Sequence, residues 1–178
     1  MVLPMSSEHA TLTPISRKVI HAAEVLVIQP DGDVAATWRD ALLDFGMNGV
    51  STVADIHDAL SQIRSHPPAG IVVALPSQAE AHAFMARLTE GEAGDMEHVP
   101  VVLVIPQPTR SAVVAAANAG FDAVLPYPLP PRLIYRRMGS LMQKARRVAR
   151  QRQSPHLSVV ENTADAAGLS VWPDQADI

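Results

Sequence analysis

The sequence predicts an α/β fold, a doubly wound parallel sheet of five strands with flanking helices. Five short apolar runs alternate with five segments of helical periodicity, and turn residues separate them. Continuous apolar runs rich in β-branched residues are typical of strands that are buried on both faces. Strands that alternate with helices are typical of parallel sheets joined by right-handed crossovers.

The first two strand–helix units are delimited by turn and capping residues. The first strand covers residues 25–28 and stops at a turn cluster, after which Asp33 is predicted to N-cap a helix that ends at Gly46. The second strand covers residues 49–53. Asp55 is predicted to cap the second helix, which stops before a Pro-Pro pair because proline disfavours the helical conformation in the preceding residue.

The other three units follow the same rhythm. Thr109 or Ser111 is predicted to cap the fourth helix, and Gly120 ends it. The fifth helix starts near Pro131, since proline suits a first helical turn. The remaining strands are predicted over residues 71–75, 101–105 and 122–125, and the remaining helices over residues 79–88, 112–119 and 131–152.

The chain of 178 residues divides into one domain and two flanking segments. Residues 1–22 are polar and without periodicity, so we interpret them as a loose N-terminal arm. Residues 23–152 form the domain, whose size is ordinary for a single hydrophobic core. Residues 153–178 are predicted to be an acidic, disordered tail.

Charge is distributed very unevenly along the chain. Residues 1–131 carry 6 basic and 14 acidic side chains, and residues 132–152 carry 8 basic and no acidic ones. Residues 153–178 carry 4 acidic and no basic side chains. The net charge of −4 therefore hides an acidic body, a basic helix and an acidic tail.

Composition excludes several classes of function. The absence of cysteine excludes disulfides, thiol nucleophiles and thiolate metal sites. No apolar run is long enough to span a bilayer and no signal peptide is recognisable, so we expect a cytoplasmic protein with no membrane contact. The seven histidines form no helical His-x-x-x-His pair, and no phosphate-binding glycine motif occurs. We therefore expect no metal, no cofactor and no enzymatic activity.

Several short pieces together resemble the receiver domain of two-component response regulators. The pieces are the apolar run at residues 25–28 followed by acidic residues, the His66-Pro67-Pro68 lead into the third strand, Val99-Pro100-Val101-Val102, Ala119-Gly120-Phe121-Asp122, and Tyr127-Pro128-Leu129 in place of the family's Lys-Pro-Phe. The resemblance covers about residues 24–145. It implies a flavodoxin-like sheet with strand order 2-1-3-4-5, and it implies a cis peptide bond between Tyr127 and Pro128.

The resemblance also implies that the phosphorylation site of the family is degenerate here. The acidic pair that holds Mg²⁺ corresponds to Gln29 and Pro30, and the phosphoacceptor aspartate corresponds to Ala74. The hydroxyl residue after the fourth strand corresponds to Ile105, and the lysine corresponds to Tyr127. The side chains of proline and alanine offer no oxygen ligand to Mg²⁺, and a tyrosine side chain offers no cation to a phosphoryl group.

The fourth and fifth helices are the predicted contact surfaces. The small apolar fourth helix and the apolar seam of the fifth are predicted to form a partner or dimer interface, because exposed apolar surface usually marks an interface. The residues of this interface are Ala112, Val113, Ala116, Ile134, Met138, Leu141 and Ala145. The predicted basic patch of the fifth helix consists of Arg136, Arg137, Lys144, Arg146, Arg147 and Arg150.

Three functions remain as hypotheses. The first is a non-enzymatic pseudo-receiver, a phosphorylation-independent signalling or scaffold protein that binds a protein partner of a two-component-type pathway and forms a homodimer. The second is a nucleic-acid-binding regulator that uses the arginine-rich helix, although an acidic body and an aromatic content of 4% argue against it. The third is a conventional phosphorylated response regulator, which the missing aspartate disfavours.

Overall fold

The structure is a computed structural model that describes residues 23–94, 96 and 99–153. The predicted N-terminal arm and, apart from Gln153, the predicted acidic tail lie outside these residues. Within the described part, no helix has the length and apolarity needed to cross a membrane.

Five parallel strands form one sheet in the order β2-β1-β3-β4-β5, as the resemblance implies. The register pairs Val25 with both Val50 and Gly70, and it pairs Leu103 with Val124. The strands are β1 (Glu24–Ile28), β2 (Gly49–Val53), β3 (Gly70–Val73), β4 (Val101–Pro106) and β5 (Ala123–Tyr127). The strand prediction is wrong at the end of β3, where Ala74 and Leu75 lie outside the strand.

Each strand is followed by a helix. The helices are α1 (Gly32–Asp44), α2 (Ile56–Ser65), α3 (Gln78–Thr89), α4 (Arg110–Ala119) and α5 (Pro131–Gln153). Asp55 caps α2 and Thr109 caps α4, and Gly120 follows α4 with a φ of 103°, a conformation that glycine adopts without strain. At 1.5 Å per residue, α5 is roughly 34 Å long.

The predicted cap of α1 is wrong by two residues. Asp31, not Asp33, is the N-cap, because its Oδ1 accepts hydrogen bonds from the backbone N–H groups of Asp33 and Val34 at 3.0 and 3.1 Å. Asp33 lies in the first turn of the helix, where a negative charge is favourable next to the helix dipole. Either of two aspartates two residues apart could cap a helix, and only the geometry of the folded turn decides which one does.

The core consists of two layers, one on each face of the sheet. One layer packs the sheet against α2, α3 and α4, with Phe84 and Leu60 among its buried side chains. The other packs it against α1 and α5, with Trp38 and Met138 among its buried side chains. The Phe45 and Tyr135 rings, 5.5 Å apart, join α1 to α5 at the rim of this second layer.

Candidate functional site

The five degenerate positions all lie at the carboxyl edge of the sheet. Because the strands are parallel, the residues that end or follow β1, β3, β4 and β5 stand along one edge. Ligands of doubly wound sheets bind at this edge. The residues that the topology brings there are Gln29, Pro30, Ala74, Ile105 and Tyr127.

Gln29 is committed to the backbone turn between β1 and α1. Its backbone N–H donates to the carbonyl oxygen of Val53 at 2.9 Å, and its Oε1 accepts from the N–H of Asp31 at 3.1 Å. The carboxylate of Asp31 in turn accepts two N–H groups as the cap of α1. Side-chain oxygens of Gln29 and Asp31 therefore accept hydrogen bonds from the protein's own backbone.

Ala74 and Ile105 present no polar side chain to the edge. Ala74 is half-buried against the α1/α5 layer, and its N–H donates to the carbonyl oxygen of Ile28 at 2.9 Å. The Ile105 side chain is 1% exposed and packs in the layer on the opposite face of the sheet. Neither side chain can ligate a cation or hydrogen-bond an anion.

Tyr127 packs against the body of the domain while remaining 38% exposed. Its ring centroid lies 6.3 Å from that of Trp38 on α1, with the two planes tilted by 54°. Tilted rings at such a separation attract each other through their quadrupoles. The peptide bond between Tyr127 and Pro128 is cis, which confirms the expectation that the resemblance carried.

The described residues contain no group of three or more histidine, aspartate or glutamate side chains that could hold a metal ion. Asp31 and Asp33 are both exposed at the carboxyl edge, but the first is engaged as a helix cap. Among the described residues, the edge thus carries these two aspartates but no group of three or more possible metal ligands.

Burial corrects the predicted interface. Ala116, Ile134 and Met138 are each 0% exposed and belong to the core, and Leu141 is almost fully buried with them. These side chains cannot contact a second chain, because they are already packed within the two layers of the core. Val113 and Val114 of α4, by contrast, are 40% and 53% exposed. The solvent exposure of Ala112 and Ala145 is intermediate.

The six residues of the predicted basic patch are all exposed. At 3.6 residues per turn, five arginines of α5 fall within about 100° of the helix circumference. We call this set the arginine stripe; it consists of Arg132, Arg136, Arg146, Arg147 and Arg150. The other two members of the patch, Arg137 and Lys144, lie at the far side of the exposed face, next to the buried residues.

No feature of the sequence indicates a groove at the opposite, amino-terminal edge of the sheet. A concavity of about 540 Å³ opens there, lined among others by Leu88, Val101 and Gly120. Asp122 at its rim accepts the N–H of Val101 at 2.8 Å through Oδ2. Such a groove forms where a loop, two helix ends and the start of a strand come together. These segments are far apart in the chain, so no local sequence motif predicts the groove.

The loop beside this groove is held by arginines. The Glu92 carbonyl oxygen accepts from Arg64 at 3.3 Å, and its carboxylate pairs with Arg87 at 2.8 Å. The hydrogen bond from Arg87, followed by the attraction of that charge, lowers the pKa of Glu92. Both side chains of this pair are open to solvent, so its part in stability is small.

Comparisons with known proteins identify the fold. No protein-family model and no curated protein matches this chain. A response regulator from Chloroflexus aurantiacus is 22% identical, with a TM-score of 0.60, and the match covers 68% of this chain and 98% of that one. A receiver domain protein from Methanospirillum hungatei is 15% identical, with a TM-score of 0.63 and coverage of 71% and 98%.

A third match comes from a different kind of signalling protein. The receiver domain of a histidine kinase from Syntrophus aciditrophicus is 18% identical, with a TM-score of 0.61 and coverage of 71% of this chain and 94% of that one. At these identities the similarity shows the fold. This chain has the fold of response regulator receiver domains, which confirms the predicted fold class and strand order.

Proposed function

We propose that this chain, with its receiver fold, is a pseudo-receiver: a non-enzymatic, cytoplasmic signalling or scaffold protein that binds a protein partner without accepting phosphate. The observation that carries the proposal is the carboxyl edge. An alanine stands where the resemblance places the phosphoacceptor, and uncharged residues stand where it places the acidic pair and the lysine: Gln29, Pro30 and Tyr127.

The proposal is supported by what the edge residues do instead. Gln29 holds a turn, Ile105 fills the core and Tyr127 lies beside Trp38. A phosphoryl group needs charge neutralisation and hydrogen-bond donors at its oxygens. Each of these side chains contributes to the fold, and together they leave no charge at the position of the phosphoryl group.

The first experiment tests the absence of phosphorylation. The full chain is incubated with acetyl phosphate and Mg²⁺ and its intact mass is measured, with a receiver domain that carries the aspartate as a positive control. We expect no added phosphoryl mass. We also expect none for Ala74→Asp, because the metal ligands and the lysine are still missing. Stable labelling of the unmodified chain would refute the proposal.

The docking surface that we propose is the exposed apolar face of α4, centred on Val113 and Val114. Contiguous apolar surface that stays exposed in a folded domain marks a site of protein contact. Capture from native lysate with the full chain, followed by mass spectrometry, should yield a partner that Val114→Arg loses. The same partner should bind equally well with and without acetyl phosphate. A partner that binds the unmodified chain and Val114→Arg equally well would show that the docking surface is not this face of α4.

The second candidate is a nucleic-acid-binding regulator, and the exposed arginine stripe is the observation that favours it. Phosphate contacts by arginine give an affinity that falls steeply with salt and depends little on sequence. Titration of random-sequence duplex DNA at physiological salt distinguishes the two functions. Binding in the submicromolar range would promote the nucleic-acid reading over the pseudo-receiver scaffold.

A further inference from the structure

The groove at the amino-terminal edge of the sheet has the size of a small-molecule site. Its volume of about 540 Å³ falls within the range of roughly 300–1,000 Å³ that is usual for ligand pockets. Three of the residues that line it, Met85, Leu88 and Val101, are buried in the core, which makes that part of the lining apolar and firmly packed. Met96 and Val99 also line the groove and are only half-buried, so they leave apolar surface that a ligand can cover.

Among the described residues that line this groove, Asp122 is the one ionisable side chain. It is fixed at two points, because its backbone N–H donates to the carbonyl oxygen of Val101 at 2.9 Å and its Oδ2 accepts the N–H of Val101 at 2.8 Å. This contact uses Oδ2, and a carboxylate has a second oxygen, Oδ1, that can accept from a ligand. The groove therefore combines a positioned carboxylate with an apolar surface.

Asp122 also borders an adjoining concavity, which Lys144 and Arg152 line from α5. A cationic ligand in the groove must therefore compete with these two side chains for the carboxylate. Competition of this kind makes the charge contact modest and sensitive to salt. Most of the affinity then has to come from the apolar part of the ligand.

We propose that this groove binds a small organic cation, with an ammonium group at the carboxylate of Asp122 and an aromatic body that covers Met96 and Val99. Aromatic rings suit this lining, because the thioethers of Met85 and Met96 make favourable contacts with them. An anionic ligand of the same shape would meet Asp122 as a like charge. The site lies at the edge of the sheet opposite the degenerate positions, so it does not depend on the proposed pseudo-receiver function.

The site can be located by nuclear magnetic resonance, because methionines lie both in the groove and far from it. The full chain, isotope-labelled at its methionine methyl groups, is titrated with tryptamine, an indole ring that carries an ammonium group. We expect saturable shifts of the Met85 and Met96 signals, with a dissociation constant on the order of 1 mM for a ligand of this size. Met47, Met138 and Met142 pack on the other face of the sheet and should not shift. No saturable shift at Met85 and Met96 would refute the site.

A second probe tests the sign of the charge without any change in the protein. Indolepropionate has the same ring and linker as tryptamine and carries a carboxylate in place of the ammonium group. We expect it to bind about tenfold more weakly, since it exchanges an attraction to Asp122 for a repulsion. Raising the salt from about 0.05 M to about 1 M, where the Debye length is roughly 3 Å, should reduce this difference. Equal affinity of the two probes at low salt would overturn the assignment of a cation.

Asp122→Asn tests the residue itself, because asparagine keeps an oxygen that can accept the N–H of Val101 while it removes the charge. We expect it to bind tryptamine about threefold to fivefold more weakly and to discriminate less between the two probes. Asp44→Asn is the matched control: it makes the same change at an exposed position of α1, which packs on the other face of the sheet, and it should bind as the unmodified chain does. Unchanged tryptamine binding in Asp122→Asn would refute the role of this carboxylate.

Discussion

Gly70, at the start of β3, leaves no room for a side chain beneath α5. A Cβ built at this position would lie 2.5 Å from Sδ of Met138 and 2.8 Å from Cε of Met142. Both methionines are buried in the layer between the sheet and α5. The close approach of helix and strand therefore depends on this glycine.

We predict that Gly70→Ala lowers the free energy of unfolding by about 1–2 kcal/mol, because the two methionines must move within a packed layer. Gly32→Ala is the matched control: a Cβ there meets nothing within 4 Å, and the residue opens α1. That change should raise stability by roughly 0.5 kcal/mol through the unfolded chain. Urea unfolding of the two variants measures both changes in the free energy of unfolding and tests whether they have opposite signs.

Tyr127 illustrates a second residue whose role is packing. Replacing it by lysine would restore the residue type that the resemblance expects, but it would remove the ring contact with Trp38. We expect Tyr127→Lys to cost about 1 kcal/mol in urea unfolding and Tyr127→Phe to cost much less, since phenylalanine retains the ring. Equal stability of the lysine and phenylalanine variants would show that the ring contact contributes nothing.

At the scale of the element, α4 shows how a cap is chosen between two candidates. Thr109 and Ser111 both carry a hydroxyl at a helix start, and their oxygens are 3.0 Å apart. Thr109 has extended backbone angles, and its Oγ1 accepts from the N–H of Ala112 at 3.2 Å. Ser111 already lies inside the helix. Only one of the two can satisfy a free N–H group.

We predict that Thr109→Ala destabilises the domain by about 1 kcal/mol, the usual cost of losing an N-cap. Ser111→Ala should change stability by less than about half as much, because alanine is a good helix former and no N–H group is orphaned. Thermal or urea unfolding compares the two. A larger loss of stability in Ser111→Ala than in Thr109→Ala would show that Ser111 is the N-cap of α4.

The fifth helix combines two roles along its length. Its first turns bury Ile134 and Met138 against the sheet, whereas its last turns carry most of the arginine stripe. A helix of roughly 34 Å is longer than a strand of five residues, which spans roughly 17 Å. The extra length leaves room for a charged segment after the buried turns.

At the scale of the whole molecule, the burial pattern changes which residue can test self-association. Ala116 lies in the core, so a charge placed there would unfold the domain and report nothing about an interface. Val114 is 53% exposed on the same helix and tests the surface itself. Leu43 on α1, 39% exposed, serves as a control of similar character on another face.

We predict a dimer in sedimentation experiments at micromolar concentrations, and a monomer for Val114→Arg, because a buried unpaired guanidinium at an interface is costly. Leu43→Arg should remain dimeric. A monomeric unmodified chain would end the dimer hypothesis, and disruption by the α1 variant alone would move the interface to α1.

Much of the fold is readable from the sequence because its signals are local. Apolar runs such as residues 25–28, capping residues such as Asp55, and glycines such as Gly120 act within a few neighbours, and all appear where predicted. The end of β3 and the cap of α1 were predicted wrongly, since each depends on hydrogen bonds that only the folded turn defines.

The sequence by itself determined the order of strands and helices, the charge division along the chain and the residue types at the carboxyl edge. The tertiary structure decided which apolar side chains of α4 and α5 face the sheet, that Gly70 meets two methionines, and that Tyr127 lies beside Trp38. Periodicity reveals that a helix has an apolar face, but not what covers it. That depends on contacts between residues far apart in the chain, which form only when the whole domain packs.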